Sequence, residues 1–167
     1  MDTTQANKMI KRIAIYDMDG TIVDSSHRYR TILTDQGERI DIGYWRDNQH
    51  LAMLDGLLPL AEKYKLDCMD LECFTIIATA RVMNDPDWQF MRDQLGMPDY
   101  VISRTRDDQQ SGSTLKINGL IKCFETANIN LAMMTDVVFY EDNVDYLKAV
   151  CDYFNIRGEY IPSKQGH

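Results

Sequence analysis

Apolar and polar positions along this chain fall into two alternating patterns. Short, nearly continuous apolar runs occur at Ile13-Ala14-Ile15-Tyr16, Phe74–Ala78, Tyr100–Ser103 and Val137–Tyr140, and between them apolar residues recur every three or four positions. Unbroken runs of this length predict strands buried on both faces, and the intervening period predicts helices packed over them. One helix is expected within His50–Lys65, where Leu51, Leu54, Leu57, Leu58 and Ala61 keep helical spacing, with Pro59 interrupting it or delaying its start. A second begins at Asp85-Pro86 and stops at Gly96. A third, capped by Ser113 or Thr114, carries Leu115, Ile117, Leu120, Ile121 and Phe124, and a fourth covers about Asn143–Tyr153. A closing strand is expected near Glu159–Ile161, whereas Asp24–Asn48 is polar, without a sustained period, and reads as a loop or small flap.

Strands alternating with helices predict an α/β fold: a Rossmann-like, mostly parallel sheet with helices on both faces. Such sheets bind ligands beyond the carboxyl ends of their strands. With 167 residues and 44% hydrophobic content, the chain fits one domain over 1–167, its core at about 11–162, with a flap at about 24–48 and no room for a large cap. An open site follows. The polar ends, Met1–Lys8 and Ser163–His167, read as flexible tails. No apolar stretch is long enough to span a bilayer, and the N-terminus lacks the basic-then-apolar layout of a secretory signal, so a cytoplasmic protein is expected. Cys68, Cys73, Cys123 and Cys151 show no metal-binding spacing and read as reduced thiols. A formal net charge of -8 argues against an extensive nucleic-acid groove, though not against gripping a single terminal phosphate.

The candidate chemistry gathers at the strand ends. The first apolar run leads into Asp17-Met18-Asp19-Gly20-Thr21, two carboxylates one residue apart before a glycine turn. Asp17 is placed to attack and Asp19 to handle the proton; a carboxylate nucleophile suits a phosphoryl group whose charge a metal has neutralised. An EF-hand is excluded because Ile22 and Val23 follow where further oxygen ligands would be needed. Thr79, after Ile76-Ile77-Ala78, offers a hydroxyl to a phosphate oxygen, although a structural threonine and a solvated Arg81 are the commoner readings. Lys116, in the first turn of a predicted helix, opposes the helix dipole and so fits a role against concentrated negative charge; Lys122 is the alternative. After the fourth run, Glu141, Asp142 and Asp145 are magnesium candidates. Magnesium takes one or two protein carboxylates plus substrate phosphate, and Asp17 with Asp142 can supply them, while Asp145 can equally complement a helix N-terminus.

That order of motifs resembles the haloacid dehalogenase (HAD) superfamily of phosphohydrolases and phosphotransferases, from Ile13 to about Ile161. The resemblance implies Asp17 as a nucleophile that becomes aspartyl-phosphate and Asp19 as general acid, then base. It implies phosphoryl binding by Thr79 and Lys116, and Mg2+ held by Asp17, the Asp19 backbone carbonyl and Asp142, with Glu141 and Asp145 in support. Asp19–Asp24, Ser26-His27-Arg28, Tyr44-Trp45 and Ala78-Thr79-Ala80-Arg81 look like phage-type phosphatases related to the 3′-phosphatase half of polynucleotide kinase. This implies that Arg28 and Arg81 contact substrate phosphate. The expected substrate is a polynucleotide 3′-phosphate or a nucleotide; a small-metabolite phosphatase and a catalytically idle binding protein are the alternatives. Ala80 stands where that group has glycine, and Glu141-Asp142-Asn143 where it has paired Asp followed by Arg. The chain has no Gly-x-x-x-x-Gly-Lys-Ser/Thr loop, so no kinase activity is expected.

Overall fold

A computed structural model describes residues 9–163. The expected tails at Met1–Lys8 and Ser163–His167 lie outside the described residues, apart from Ser163. A five-stranded parallel sheet forms the centre, in the order β7-β6-β1-β8-β9, from β1 (Arg12–Tyr16), β6 (Cys73–Val82), β7 (Tyr100–Arg104), β8 (Asp136–Glu141) and β9 (Arg157–Tyr160). The central strand β1 shows why its apolar run is unbroken. Ala14 and Tyr16 join one buried cluster, with Tyr64, Phe90 and Leu95 from α2 (Ala61–Met69) and from α3 (Asp85–Phe90) and its extension. Ile13 and Ile15 join the other, with Leu120, Phe124 and Val150 from α4 (Gly112–Thr126) and α5 (Val144–Phe154). Successive side chains of a strand point to opposite faces, so covering both faces requires every position to be apolar.

Several boundaries differ from the sequence expectation, each for a local reason. Pro59 delays rather than interrupts: Gln49–Leu54 is a 3-10 segment, β5 (Gly56–Leu57) follows, and α2 starts at Ala61. The helix from Asp85 widens at Met91–Leu95 into a π turn that closes with Gly96 N–H donating to the Met91 carbonyl at 2.7 Å. Gly96 itself has φ +98°, which favours glycine as a stop. The cap of α4 is Ser111, whose Oγ accepts from Thr114 N–H, not Ser113 or Thr114; Gly112 opens the helix. Strand β6 runs four residues beyond Ala78, with a register irregularity between Ala78 and Val82, so Thr79 and Arg81 belong to the strand.

The polar stretch 24–48 is built rather than unstructured. After β2 (Val23–Asp24), which pairs with β5, strands β3 (Thr31–Thr34) and β4 (Gly37–Ile40) form an antiparallel hairpin, followed by α1 (Ile42–Asp47), capped by the Asp41 carboxylate. Every residue of β3 is exposed, so no hydrophobic alternation marks it. No helix among the described residues is long and apolar enough to cross a membrane.

Candidate active site

The carboxyl ends of β1, β6 and β8 and the start of α4 bring the predicted residues around one pocket of about 790 Å³. Asp17 follows β1 directly, and its backbone N–H donates to the Tyr140 carbonyl at 3.0 Å, extending the ladder with β8. Its Oδ1 accepts from Lys116 Nζ at 2.9 Å and its Oδ2 from Thr21 Oγ1 at 3.0 Å. The turn behind it is closed by Ile22 and Val23 N–H groups donating to the Met18 carbonyl. Gly20 has φ +78°, and a Cβ there would collide with Asp142 Oδ2, so the glycine lets this turn pass against the opposing acid.

Lys116 is fully buried and donates also to Glu141 Oε2, at 2.5 Å. It is the fifth residue of α4 rather than part of the first turn, and its charge answers two carboxylates instead of an N-terminal dipole. Burial works against that charge, but Asp17 and Glu141 outweigh it and hold the ammonium above its usual range. Lys122 is exposed farther along the helix. Glu141 Oε1 accepts from the backbone N–H groups of Asp142 and Asn143, both at 3.1 Å.

Asp17, Glu141 and Asp142 each present a carboxylate oxygen within 4.8 Å of the others. Both Asp142 oxygens are buried without a hydrogen-bond partner. Burial, then the Asp17 charge, pushes the carboxyls of Glu141 and Asp142 above their ordinary range. Three crowded carboxylates against one ammonium leave negative charge uncompensated. An all-oxygen donor set with two orphaned atoms fits a hard divalent cation, which would satisfy Asp142 and relieve the repulsion. Asp145 is exposed in the first turn of α5 and outside this cluster, where it complements the helix N-terminus.

Asp19 lies on the other side of the turn. Its Oδ1 accepts from Ser25 Oγ at 2.7 Å and from Arg81 Nη2, and its Oδ2 from Arg81 Nε at 2.9 Å. The third arm of that guanidinium, Nη1, donates to Asp87, whose Oδ2 in turn accepts from Asn84 N–H at 2.8 Å as part of a capping box on α3. Arg81 therefore lines the pocket but is held on Asp19 and Asp87. Arg28 is not placed at the pocket wall. It is fully buried, donating to both oxygens of Asp55 at 2.8 and 2.9 Å, with its guanidinium 4.2 Å from the centre of the Trp45 ring. Thr79 is buried in the pocket lining, where its Oγ1 accepts from Arg81 N–H at 3.3 Å.

The β3–β4 hairpin, within the expected flap, contributes part of the wall of the site. Thr34, Asp35, Gln36, Arg39 and Ile40 line the same pocket as Asp17, together with Trp45 from α1 and Tyr146 from α5. Sequence reasoning singled out neither the supports of the carboxylates, Thr21, Ser25, Asp55 and Asp87, nor Tyr146. Only Asp87 carried a local signal, the Asn84-x-x-Asp87 spacing of a capping box.

Residues 1–152 match the family model described as bacteriophage T5 5′-deoxynucleotidase. The 5′-deoxynucleotidase of Escherichia phage T5 is 37% identical over 89 residues, which is 51% of this chain and 36% of that protein. The aligned region thus spans about a third of the length of that curated relative. Among solved structures, the chain is similar in fold to one in the Pnkp1/Rnl/Hen1 RNA repair complex, with TM-score 0.61 and 15% identity over 93% of this chain and 44% of that one. It is also similar to the HAD domain of the effector protein Lem4 from Legionella pneumophila, with TM-score 0.56 and 10% identity over 95% and 90% of the two chains. A HAD-superfamily hydrolase of subfamily IA from Geobacter sulfurreducens gives TM-score 0.53 and 14% identity over 89% and 85%. With its parallel sheet, its Asp17–Asp19 turn and a family match covering nearly the whole chain, this protein belongs to the bacteriophage T5 5′-deoxynucleotidase family and has a HAD-like fold.

Proposed function

We propose that this chain is a magnesium-dependent phosphohydrolase that releases phosphate from deoxynucleoside 5′-monophosphates through an aspartyl-phosphate on Asp17. The carrying observation is the placement of Asp17. Its carboxylate is gripped by Lys116 and Thr21 beside Glu141 and Asp142, on the floor of a pocket walled by Trp45, Ile40, Ile42 and Tyr146. A volume of about 790 Å³ falls in the usual range for small-ligand sites, and the apolar walls suit a nucleoside over a charged floor. The family match supports a 5′-phosphate of a deoxynucleotide over a polynucleotide 3′-end, and the acidic net charge points the same way.

In this reading an Asp17 oxygen attacks phosphorus and the bond to the 5′-oxygen breaks, that oxygen taking a proton from Asp19. Water then attacks the aspartyl-phosphate, giving up its proton to Asp19, so that inorganic phosphate leaves and both carboxyl groups return to their starting states. Ser25 and Arg81 keep Asp19 oriented through both steps. Lys116 and Thr79 serve the equatorial phosphoryl oxygens. A Mg2+ ion held by Asp17, Asp142 and the Asp19 carbonyl, with Glu141 fixing Lys116 behind it, would supply charge neutralisation at the phosphoryl group.

The test is phosphate release with Mg2+ from deoxynucleoside 5′-monophosphates, a 3′-phosphorylated oligonucleotide and sugar phosphates. Deoxynucleotides should be preferred, and Asp17→Asn should lower turnover by at least about 10³-fold. Activity surviving that substitution removes Asp17 as nucleophile. Preference for the oligonucleotide moves the assignment to end processing, preference for sugar phosphates to metabolite hydrolysis, and no turnover at all to a binding protein.

A further inference from the structure

A second cavity, of about 610 Å³, opens beside the first, and the two share no lining residue. Their walls meet at the end of β6, where Arg81 belongs to the catalytic pocket, and Val82 and the following Met83 to its neighbour. The second cavity combines an aromatic and apolar wall, Trp88, Met83 and Pro86, with two arginines, Arg104 and Arg106. Trp88 and Met83 are half-buried and packed against the core cluster, which makes the wall rigid.

The charges there are unusual for so acidic a chain. Arg104 donates only to carbonyls, from Nε to Ala80 at 2.8 Å and from Nη1 to Asp108 and Gln110 at 3.0 and 2.6 Å. It forms no direct ion pair among the described residues, although, with the Gln110 backbone N–H, its charge helps to hold the nearby Asp108 carboxyl below the ordinary range. Arg106 is exposed and makes neither an ion pair nor a hydrogen bond among the described residues. One carboxylate, Asp85, also lines the cavity, leaving the arginines in excess. Arginines that make no direct ion pair, beside a packed indole, match a ligand with a flat ring and an anionic group: bases stack on aromatic side chains, and guanidinium groups pair with phosphate.

We propose that this cavity is a second nucleotide-binding site, taking a base against Trp88 and a phosphate on Arg106 and Arg104. The identity of the ligand class rests on the nucleotide-handling function above; the geometry of the cavity does not. The occupant is either a free nucleotide or the adjoining nucleotide of an oligonucleotide whose end lies over Asp17. It would bear on the catalytic pocket by two short routes. Arg104 holds the Ala80 carbonyl, between Thr79 and Arg81, and the wall residue Asn84 holds Asp87, the anchor of Arg81.

The two tryptophans of the chain, Trp45 and Trp88, lie one in each cavity, so each can report on its own site. Asp17→Asn protein carrying 5-fluorotryptophan is titrated with deoxyadenosine monophosphate and, separately, with the 5′-phosphorylated deoxyadenosine dinucleotide, following fluorine NMR. Trp88→Phe assigns the two resonances, and Trp45→Phe does so independently. Saturable movement of the Trp88 resonance, with affinity lowered at least tenfold by Arg106→Ala, is expected. Movement with the mononucleotide identifies a free-nucleotide site; movement with the dinucleotide alone identifies a subsite for a longer substrate. A Trp88 resonance that stays still with both, or moves equally in Arg106→Ala, overturns the proposal. The Trp45 resonance separately tests nucleotide binding over Asp17, so failure of one assignment is distinct from failure of the other.

Discussion

Arg81 is the residue on which most of the buried charge turns. Its side chain is buried, and its three nitrogens reach Asp19 twice and Asp87 once, with Asp55 3.8 Å away. Arg81→Ala would strip Asp19 and Asp87 of their shared guanidinium, leaving Arg28 beside Asp55 and Asp87 and only Ser25 of the named donors on Asp19, and removing one partner of a buried ion pair costs about 3–5 kcal/mol. Urea unfolding should show that loss. Arg81→Lys retains the charge but not the fork, so it should keep more of the stability while Asp19 loses its orientation; kcat should fall by at least about tenfold. Equal effects of the two substitutions on kcat and stability would mean that the retained charge counts for nothing at this position, and a lysine variant indistinguishable from the parent would mean that charge alone matters. The sequence exposed Arg81 as a candidate, but its attachment to Asp19 lies 62 residues away in the chain and depends on the length of β6.

At the scale of elements, α4 is the arm that brings Lys116 to Asp17, and two glycines set its distance from its neighbours. A Cβ on Gly119 would collide with Ile102 of β7, and one on Gly112 with the Tyr146 ring of α5. Gly119→Ala gains up to about 1 kcal/mol in helix propensity, whereas overpacking typically costs about 1–3 kcal/mol. A net loss of stability is therefore expected in denaturant unfolding, together with lower kcat as the helix and its lysine move outward. A more stable variant would show that α4 can shift freely. The elements legible in sequence were those that bury both faces or one clean stripe. The β3–β4 hairpin, exposed along all of β3, left no such pattern, and Gly112 before the first apolar residue of α4 disguised the Ser111 cap.

For the whole molecule, the cluster of Asp17, Glu141 and Asp142 stores repulsion at the centre of the sheet's carboxyl edge. A divalent cation that binds only the folded chain should therefore stabilise it, by about 2.7 kcal/mol at a hundredfold excess over Kd, or roughly 5–10 °C in Tm for a chain of this size. Calorimetry with Mg2+ and then with EDTA checks this. Asp142→Asn should abolish the increment and, without metal, melt no lower than the parent, because it replaces a buried carboxyl group whose oxygens have no hydrogen-bond partner and whose ionisation is opposed by burial and by Asp17. A parent whose Tm ignores Mg2+ would count against a metal centre.

What the sequence determined by itself was the set of buried strands and the chemistry at their ends, because an unbroken apolar run can be satisfied only between two layers, and the carboxyl edge of such a sheet is where polar residues can converge. Asp17, Thr79, Glu141 and Asp142 were legible on that basis. The tertiary structure alone decided which lysine meets Asp17 across 99 residues, that Arg28 turns inward to Asp55, that Asp145 stays at a helix end, and that the hairpin lines the pocket. Each depends on angstrom-scale distances between segments remote in sequence, and those distances are set by how side chains on α4, β6 and the hairpin pack rather than by the local pattern of any of them.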